Sequence, residues 1–285
     1  IVYLIGGLFF ISGDLTMGSF VAISTYAGKL YSPIFSYIGT AVVVQPAIVA
    51  LNRVAKFFFD SGNSKDENGR SIDSIQSIDF SEVFFSYNEH DDVIKNFSMT
   101  INKGDKVQIT GKNGSGKSTL VRLIMQLVRP NSGNIYINGI DAMNVNKSSL
   151  ISQISYVSQR NYVFNENIRN NITYGIEHPD QKKVDELISR LHLDSVEERL
   201  AAEEKDDKIG ENGCRLSGGE IQKICIARAL LLDRGLFIFD EALSNLDGDT
   251  VDYLRQVIYE SKATWIIIDH QNKFSGFRTI MLKSE

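Results

Sequence analysis

Long basic runs are missing from this sequence, and cysteine is scarce. The 30 Lys and Arg stand against 35 Asp and Glu, for a net charge of −5. No basic tract therefore invites a nucleic acid. Cys214 and Cys225 are the only cysteines. Two cysteines without a framework of spacings make neither a disulfide scaffold nor a metal knuckle, and they read as reduced cytosolic thiols. Charge of either sign is almost absent from residues 1–60, which hold only Asp14, Lys29, Arg53, Lys56 and Asp60. The opening run Ile1–Ile11 is apolar but has no Met or basic start and no cleavage site, so it does not read as a secretory signal. It starts in mid-helix, as a piece of a longer protein would.

What is present in this first fifth is length and apolarity. A short polar turn, Ser12–Gly18, separates the opening run from a second one extending from Ser19 to about Leu51, interrupted by Lys29, Pro33 and Gln45-Pro46. A membrane span needs ~20 apolar residues, and Leu30–Val44 with its flanks supplies them. Small residues recur at Ala22, Ala27, Gly28, Ser32, Ser36 and Gly39, as close helix packing in a bilayer requires. Arg53 and Lys56 follow, which marks that end as cytoplasmic. The competing reading is a buried helical pair of a soluble domain, and Lys29 and Gln45 speak for it. The expected division is 1–59 membrane part, 60–76 linker (polar and Gly-containing), and 77–285 a second domain.

That second domain is organised around Gly111-Lys112-Asn113-Gly114-Ser115-Gly116-Lys117-Ser118-Thr119, which fits G-x-x-x-x-G-K-[ST]. Val107–Thr110 reads as a strand entering the loop and Leu120–Met125 as a helix leaving it. Glycines let several backbone N–H groups turn toward one anion, and the helix N-terminus adds its dipole. Lys117 would reach the β- and γ-phosphates and Ser118 would hold Mg²⁺. Strands are expected at Ser77–Tyr87, Val93–Ile101, Ile135–Gly139 and Ile154–Ser158, and helices at Val184–Leu191, Glu197–Lys208 and Ile221–Leu232. Asn131–Asn134 reads as a turn.

Other candidates are weaker one by one. Tyr87 could stack on a base or be a plain edge-strand aromatic. Gln159, at a strand's end, could reach Mg²⁺ and a water, or be a solvated amide. Leu216-Ser217-Gly218-Gly219-Glu220 precedes a helix and offers free N–H groups, although Ser217 also suits an ordinary N-cap. Leu236–Glu241 is a continuous apolar run ending in two acids, the pattern of a buried parallel strand. Ligands gather at the carboxyl ends of such strands; there Asp240 would hold Mg²⁺ and Glu241 would polarise a water. Thr264–Asp269 is another buried strand, ending at His270, which could sense a γ-phosphate. His90, His178 and His192 read as solvated, and Trp265 as core.

Taken in order, these pieces resemble the nucleotide-binding domain of an ATP-binding cassette (ABC) transporter over about residues 78–285. The resemblance implies an α/β P-loop NTPase fold with a helical subdomain, preceded by all-α transmembrane helices. Tyr87 matches the family's A-loop, Gly111–Thr119 its Walker A loop and Gln159 its Q-loop. Leu216–Glu220 matches its signature, Leu236–Asp240 its Walker B strand with Glu241 as catalytic acid, Ser244–Asp247 its D-loop and His270 its switch histidine. The cofactors implied are ATP and Mg²⁺, with Ser118, Gln159 and Asp240 toward the metal. A second ABC subunit, by expectation an identical one, would supply Ser217, Gly218 and Gly219 in trans. Two positions depart from the pattern: Glu220 stands where Gln is commonest, and Ile221-Gln222-Lys223 where an Arg-ending run is usual, implying tuned rather than lost activity.

The segments Gly13–Gly18, Leu51–Val54, Asn165–Ile172 and Gly210–Gly213 are similar to exporter-type members. Such a protein would be an ATPase in a multi-pass cell membrane, bacterial by expectation, with its cassette in the cytoplasm. Its partners would be lipids and a transported peptide, lipid or drug, and no nucleic acid. Six spans per half-transporter are implied, of which this chain would hold the last and part of the fifth. The alternatives are a soluble ABC-type ATPase working on DNA or ribosomes, against which the apolar start speaks, and a P-loop kinase, which would not need Leu216–Glu220.

Overall fold

The computed structural model describes residues 2–62, 69–88, 92–203, 207–269, 274 and 276–282. The chain divides into two compact units, Ile1–Ser64 and Lys65–Glu285. In the first, α1 (Val2–Ile11) and α2 (Met17–Gly62) are joined by a turn in which Asp14 N and Leu15 N both donate to Phe9 O at 3.1 Å. A Cβ on Gly6 would lie 2.9 Å from the Phe20 ring, so a side chain there would force that ring to shift. Helix α2 continues through Pro33 and Pro46 rather than stopping at them. Its stretch Met17–Asn52, 36 residues long, reaches a mean hydropathy of 1.9 in an 18-residue window. At ~1.5 Å per residue it exceeds the ~30 Å hydrocarbon thickness of a bilayer. Large side chains along it, such as Leu30, Phe35, Tyr37 and Val42, are exposed.

The second unit is built on two sheets. One is wholly parallel, ordered β6-β7-β8-β3-β9, with β3 at Lys106–Gly111, β6 at Ile154–Val157, β7 at Leu236–Asp240, β8 at Thr264–Ile268 and β9 at Arg278–Leu282. The other is antiparallel, ordered β2-β1-β4-β5, with β1 at Ser77–Ser86, β2 at Asp92–Asn102, β4 at Ser132–Ile137 and β5 at Ile140–Asp141. Side chains alternate between two cores. Leu236, Ile238, Ile266 and Ile268 join the antiparallel sheet and helix α3 (Lys117–Ile124) in one. Phe237, Phe239, Trp265 and Ile267 face the other, with α5 (Ile168–Ile172), α6 (Gln181–Arg190), α7 (Asp194–Glu203), α8 (Gly218–Leu232) and α9 (Gly248–Glu260). Both faces of β7 and β8 are covered, which is why their sequences read as unbroken apolar runs. Trp265 is fully buried and stacks on Phe237 with ring centroids 4.2 Å apart.

Several local expectations are revised. Part of the expected linker packs into the second unit. Ile72 and Ile75 are buried, Arg70 N donates to Asn144 O, and Ile72 N donates to Ser149 Oγ, just ahead of α4 (Lys147–Ile151) and within it. The polar composition there concealed two apolar anchors. Ser132–Asn134, expected as a turn, pairs with β1. The charge-rich helix is described over Asp194–Glu203, and residues 207 and 208, expected at its end, are non-helical. Cys214 and Cys225 are both free.

Candidate active site

Strand β3 delivers the loop 111–116 to the N-terminus of α3. Gly116 sits there at φ 90°, a left-handed conformation that costs L side chains ~1–2 kcal/mol, and a Cβ on it would strike Ile94 Cδ1 at 2.6 Å. No side chain caps α3. Its first N–H groups are therefore left for an anion, with the helix dipole behind them. Lys117 is 5% exposed, and its ammonium donates to Gly111 O at 2.9 Å and Lys112 O at 3.0 Å. The loop's own carbonyls thus hold the cation over the loop. Ser115 Oγ is buried without a hydrogen-bond partner.

A cleft of about 380 Å³ opens above this loop, lined by Tyr87, Val93, Asn113, Gly114, Gly116, Lys117, Ser118, Thr119, Gln159 and Glu241. Tyr87 reaches it because β1 runs antiparallel to β2 and ends beside α3. Its hydroxyl lies 3.4 Å from Thr119 Oγ1 and accepts from Arg122 Nη1 at 2.6 Å, with the guanidinium 5.9 Å from the ring centroid. Arg122 had no signal in the sequence beyond its place one turn into α3.

Asp240 ends β7 and is 3% exposed. Burial, first, and the neighbouring Glu241 charge push its carboxyl above the ordinary range, while the Ser118 hydroxyl bond, Lys117 and Arg122 pull it down. One of its oxygens, Oδ1, is buried without a hydrogen-bond partner. Tyr156 on β6 also hydrogen-bonds Asp240, and burial, followed by the Asp240 charge, pushes the phenol up to about 12. It is a neutral donor to that carboxylate at any physiological pH, and its position in an ordinary strand pattern hid it. Glu241 turns off the strand at φ 54°, which swings its carboxylate to Gln159: Nε2 donates to Oε2 at 2.5 Å across 82 positions of sequence.

Asp240's orphaned oxygen beside the Ser118 hydroxyl fits a hard cation. Among the described residues no group of three or more His, Cys, Asp or Glu could hold a metal by itself. That donor set matches Mg²⁺, which takes one or two protein ligands and completes its shell with water and phosphate oxygens.

Because the ionised form of buried Asp240 is the costly one, its folded pKa lies above the unfolded value. It therefore subtracts stability as pH rises through the raised pKa and costs nothing well below the unfolded value, where it is neutral in both states. Asp240→Asn is expected to melt higher than wild type without nucleotide near neutral pH, the gap closing below about pH 4, while losing Mg²⁺-dependent turnover. Thermal melts across pH check this; an unchanged gap at low pH would contradict it.

Leu216–Glu220 lies outside the cleft lining. Ser217 caps α8 in a reciprocal box: Glu220 N donates to Ser217 Oγ at 3.3 Å and Ser217 N to Glu220 Oε2 at 2.9 Å. Arg199 Nη2 also donates to that Glu220 oxygen at 2.9 Å, so the unusual Glu serves both the cap and an ion pair. Ser217→Ala is expected to cost about 1 kcal/mol and lower Tm by about 3 °C; calorimetry reads it directly, and an unaltered Tm would deny the cap its role. Asp247 caps α9 through Thr250 N at 2.9 Å. His270 lies outside the described residues.

A family model described as ABC transporter matches residues 94–244, more than half of the chain. The chain belongs to the ABC transporter family. Its second unit is the family's α/β ATPase domain, whose helical part is α5–α8. Similar proteins include the putative multidrug export ATP-binding/permease protein YgaD of Bacillus subtilis, 33% identical over 263 residues, covering 90% of this chain and 45% of that protein. The ATP-dependent lipid A-core flippase of Alcanivorax borkumensis is 32% identical over 266 residues, with the same coverages. Among solved structures, a bacterial Atm1-family ABC exporter with ATP bound superposes with a TM-score of 0.70 at 28% identity, over 98% of this chain and 52% of that one. The chain spans about half the length of the curated relatives it matches.

Proposed function

We propose that this ABC chain forms the ATP-hydrolysing end of a membrane exporter. In this reading two identical cassettes meet head to tail, and the energy of MgATP hydrolysis between them moves a peptide, a lipid or a drug-like molecule across the cell membrane. The observation that carries it is the meeting, in one cleft, of the Lys117 loop and the Gln159–Glu241 pair, with the Asp240 carboxylate hydrogen-bonded to Ser118 of the cleft lining. The signature Leu216–Glu220 stands apart from that cleft, which suits a role on the partner's nucleotide. The names of the relatives, an export permease and a flippase, and the long apolar helix support the transport half of the reading.

The division of labour follows from side-chain chemistry. Tyr87 offers an aromatic face to the base. The N–H groups of Gly114, Ser115, Gly116 and Thr119, with Lys117, take the phosphate charge, and Asn113 rims the loop. Mg²⁺, held by Ser118, Asp240 and Gln159, would neutralise the charge that gathers on the leaving group. Glu241 accepts the proton of the attacking water, Gln159 orients that water, and His270, matched to the family's switch histidine, would sense the γ-phosphate. Positioning and charge neutralisation therefore carry most of the rate. Ser217, Gly218 and Gly219 complete the site from the second subunit, and Asp247 lies at their junction.

The test is ATP turnover by the full-length protein in lipid discs, with peptides, lipids and hydrophobic drugs added one class at a time and Glu241→Gln as the blank. Stimulation by one class is expected. Flat turnover with every class would overturn the transport half and point to a soluble-type ATPase. No turnover above the blank would overturn the whole.

A further inference from the structure

Three residues of α8 lie on one face at i, i+3 and i+4, and each touches the loop that follows β7. Gly219 comes so close to that loop that a Cβ would stand 2.8 Å from Asn245 O. Gln222, 2% exposed, donates through Nε2 to Glu241 O at 3.5 Å. Lys223 Nζ pairs with Asp247 Oδ2 at 2.6 Å, and the lysine side chain is only 12% exposed. Within the loop, Ser244 Oγ donates to the same Glu241 carbonyl at 3.2 Å. The other Asp247 oxygen caps α9. Burial opposes ionisation of Asp247, but the hydrogen bonds from Lys223 and Thr250 outweigh it and hold the carboxyl well below the usual range. The Asp247 carboxylate is therefore ionised at all working pH values, and the pair is shielded on the lysine side while its aspartate side is half exposed.

We infer that this face of α8 is a strap joining the signature loop to the loop that carries Glu241, and that Lys223 is a positioning residue for Glu241. Lys223 touches no part of the nucleotide cleft. It pins the far end of residues 241–247, while Gln222 pins the near end. The signature and the catalytic acid of one chain then move as a single body. Resting on the proposed head-to-tail pairing, the consequence is regulatory. A signature loop seated on the partner's ATP would set Glu241 in its own site, so the two sites would fire in register.

The test uses the full chain with Lys223→Met, Lys223→Arg and Asp247→Asn, the last keeping a good helix cap while losing the ion pair. Hydrogen exchange without nucleotide reports the strap alone. Amides 242–247 are expected to exchange about tenfold faster in Lys223→Met and Asp247→Asn, and within about threefold of wild type in Lys223→Arg. In turnover, Lys223→Met is expected to lower kcat about tenfold with KM for ATP within about threefold, Lys223→Arg to recover most of it, and the Lys223→Met/Asp247→Asn pair to be no worse than the poorer single variant. Unchanged exchange overturns the strap even if Lys223→Met proves unstable, because Asp247→Asn reads the same contact. Faster exchange with wild-type kcat, or additive losses in the double variant, overturns the positioning role. Absence of turnover in wild type would instead sink the proposed function and leave the exchange result to decide the strap.

Discussion

Lys117→Ala is expected to reduce kcat/KM for ATP by on the order of 10³, the scale seen when a charged group aimed at developing charge is removed. Ground-state binding should weaken by about 10–100-fold, since one charge-assisted hydrogen bond is worth ~1.5–3 kcal/mol. The larger loss in turnover reflects charge that grows on the transferring group and can no longer be met. The defect should not be one of folding. Among the described residues the ammonium donates to two carbonyls of its own loop, Gly111 O and Lys112 O, and these can turn to water once it is gone. Wild-type thermal melting with lost turnover would separate the chemical role from a structural one. Turnover within threefold of wild type would remove the loop from the catalytic scheme.

Glu241→Gln should behave differently: hydrolysis falls by about 10²–10⁴, the usual contribution of a positioned base, while ATP binding persists. The substitution keeps the shape at φ 54° and leaves an amide oxygen that can still accept from Gln159 Nε2. What disappears is the carboxylate that takes a proton from water. A paired, ATP-bound state should then accumulate, visible as a dimer on size exclusion with ATP and as a monomer without it. Hydrolysis at the wild-type rate would mean that another group is the base. Left-handed backbone at a non-glycine residue costs ~1–3 kcal/mol, and aiming this one carboxylate into the cleft is a use for that cost.

Much of the site was legible in the sequence because its parts are local. The loop Gly111–Thr119 needs only a strand, a set of glycines and a helix start, all contiguous. The runs Leu236–Asp240 and Thr264–Ile268 announced themselves because strands covered on both faces admit no polar alternation. Ser217 and Asp247 are short polar residues ahead of helices, and each caps one. The edge strand Arg278–Leu282 was missed, since one covered edge and a mostly exposed face leave a weak pattern. Ile72 and Ile75 were lost in a polar stretch whose order comes from contacts with residues far along the chain.

The sequence by itself determined which chemistry this protein carries: a phosphate loop, two acids at a strand's end, a signature before a helix, and their order. Only the tertiary structure decided which of them meet. Strand order β6-β7-β8-β3-β9 sets Gln159 against Glu241 and Tyr156 against Asp240. The antiparallel sheet brings Tyr87 to Thr119 and Arg122. The face of α8 brings Lys223 to Asp247. The physical reason is that periodicity records which side of an element is buried, while proximity depends on how crossovers order the strands and on how helices settle over them, and no local pattern of residues encodes that.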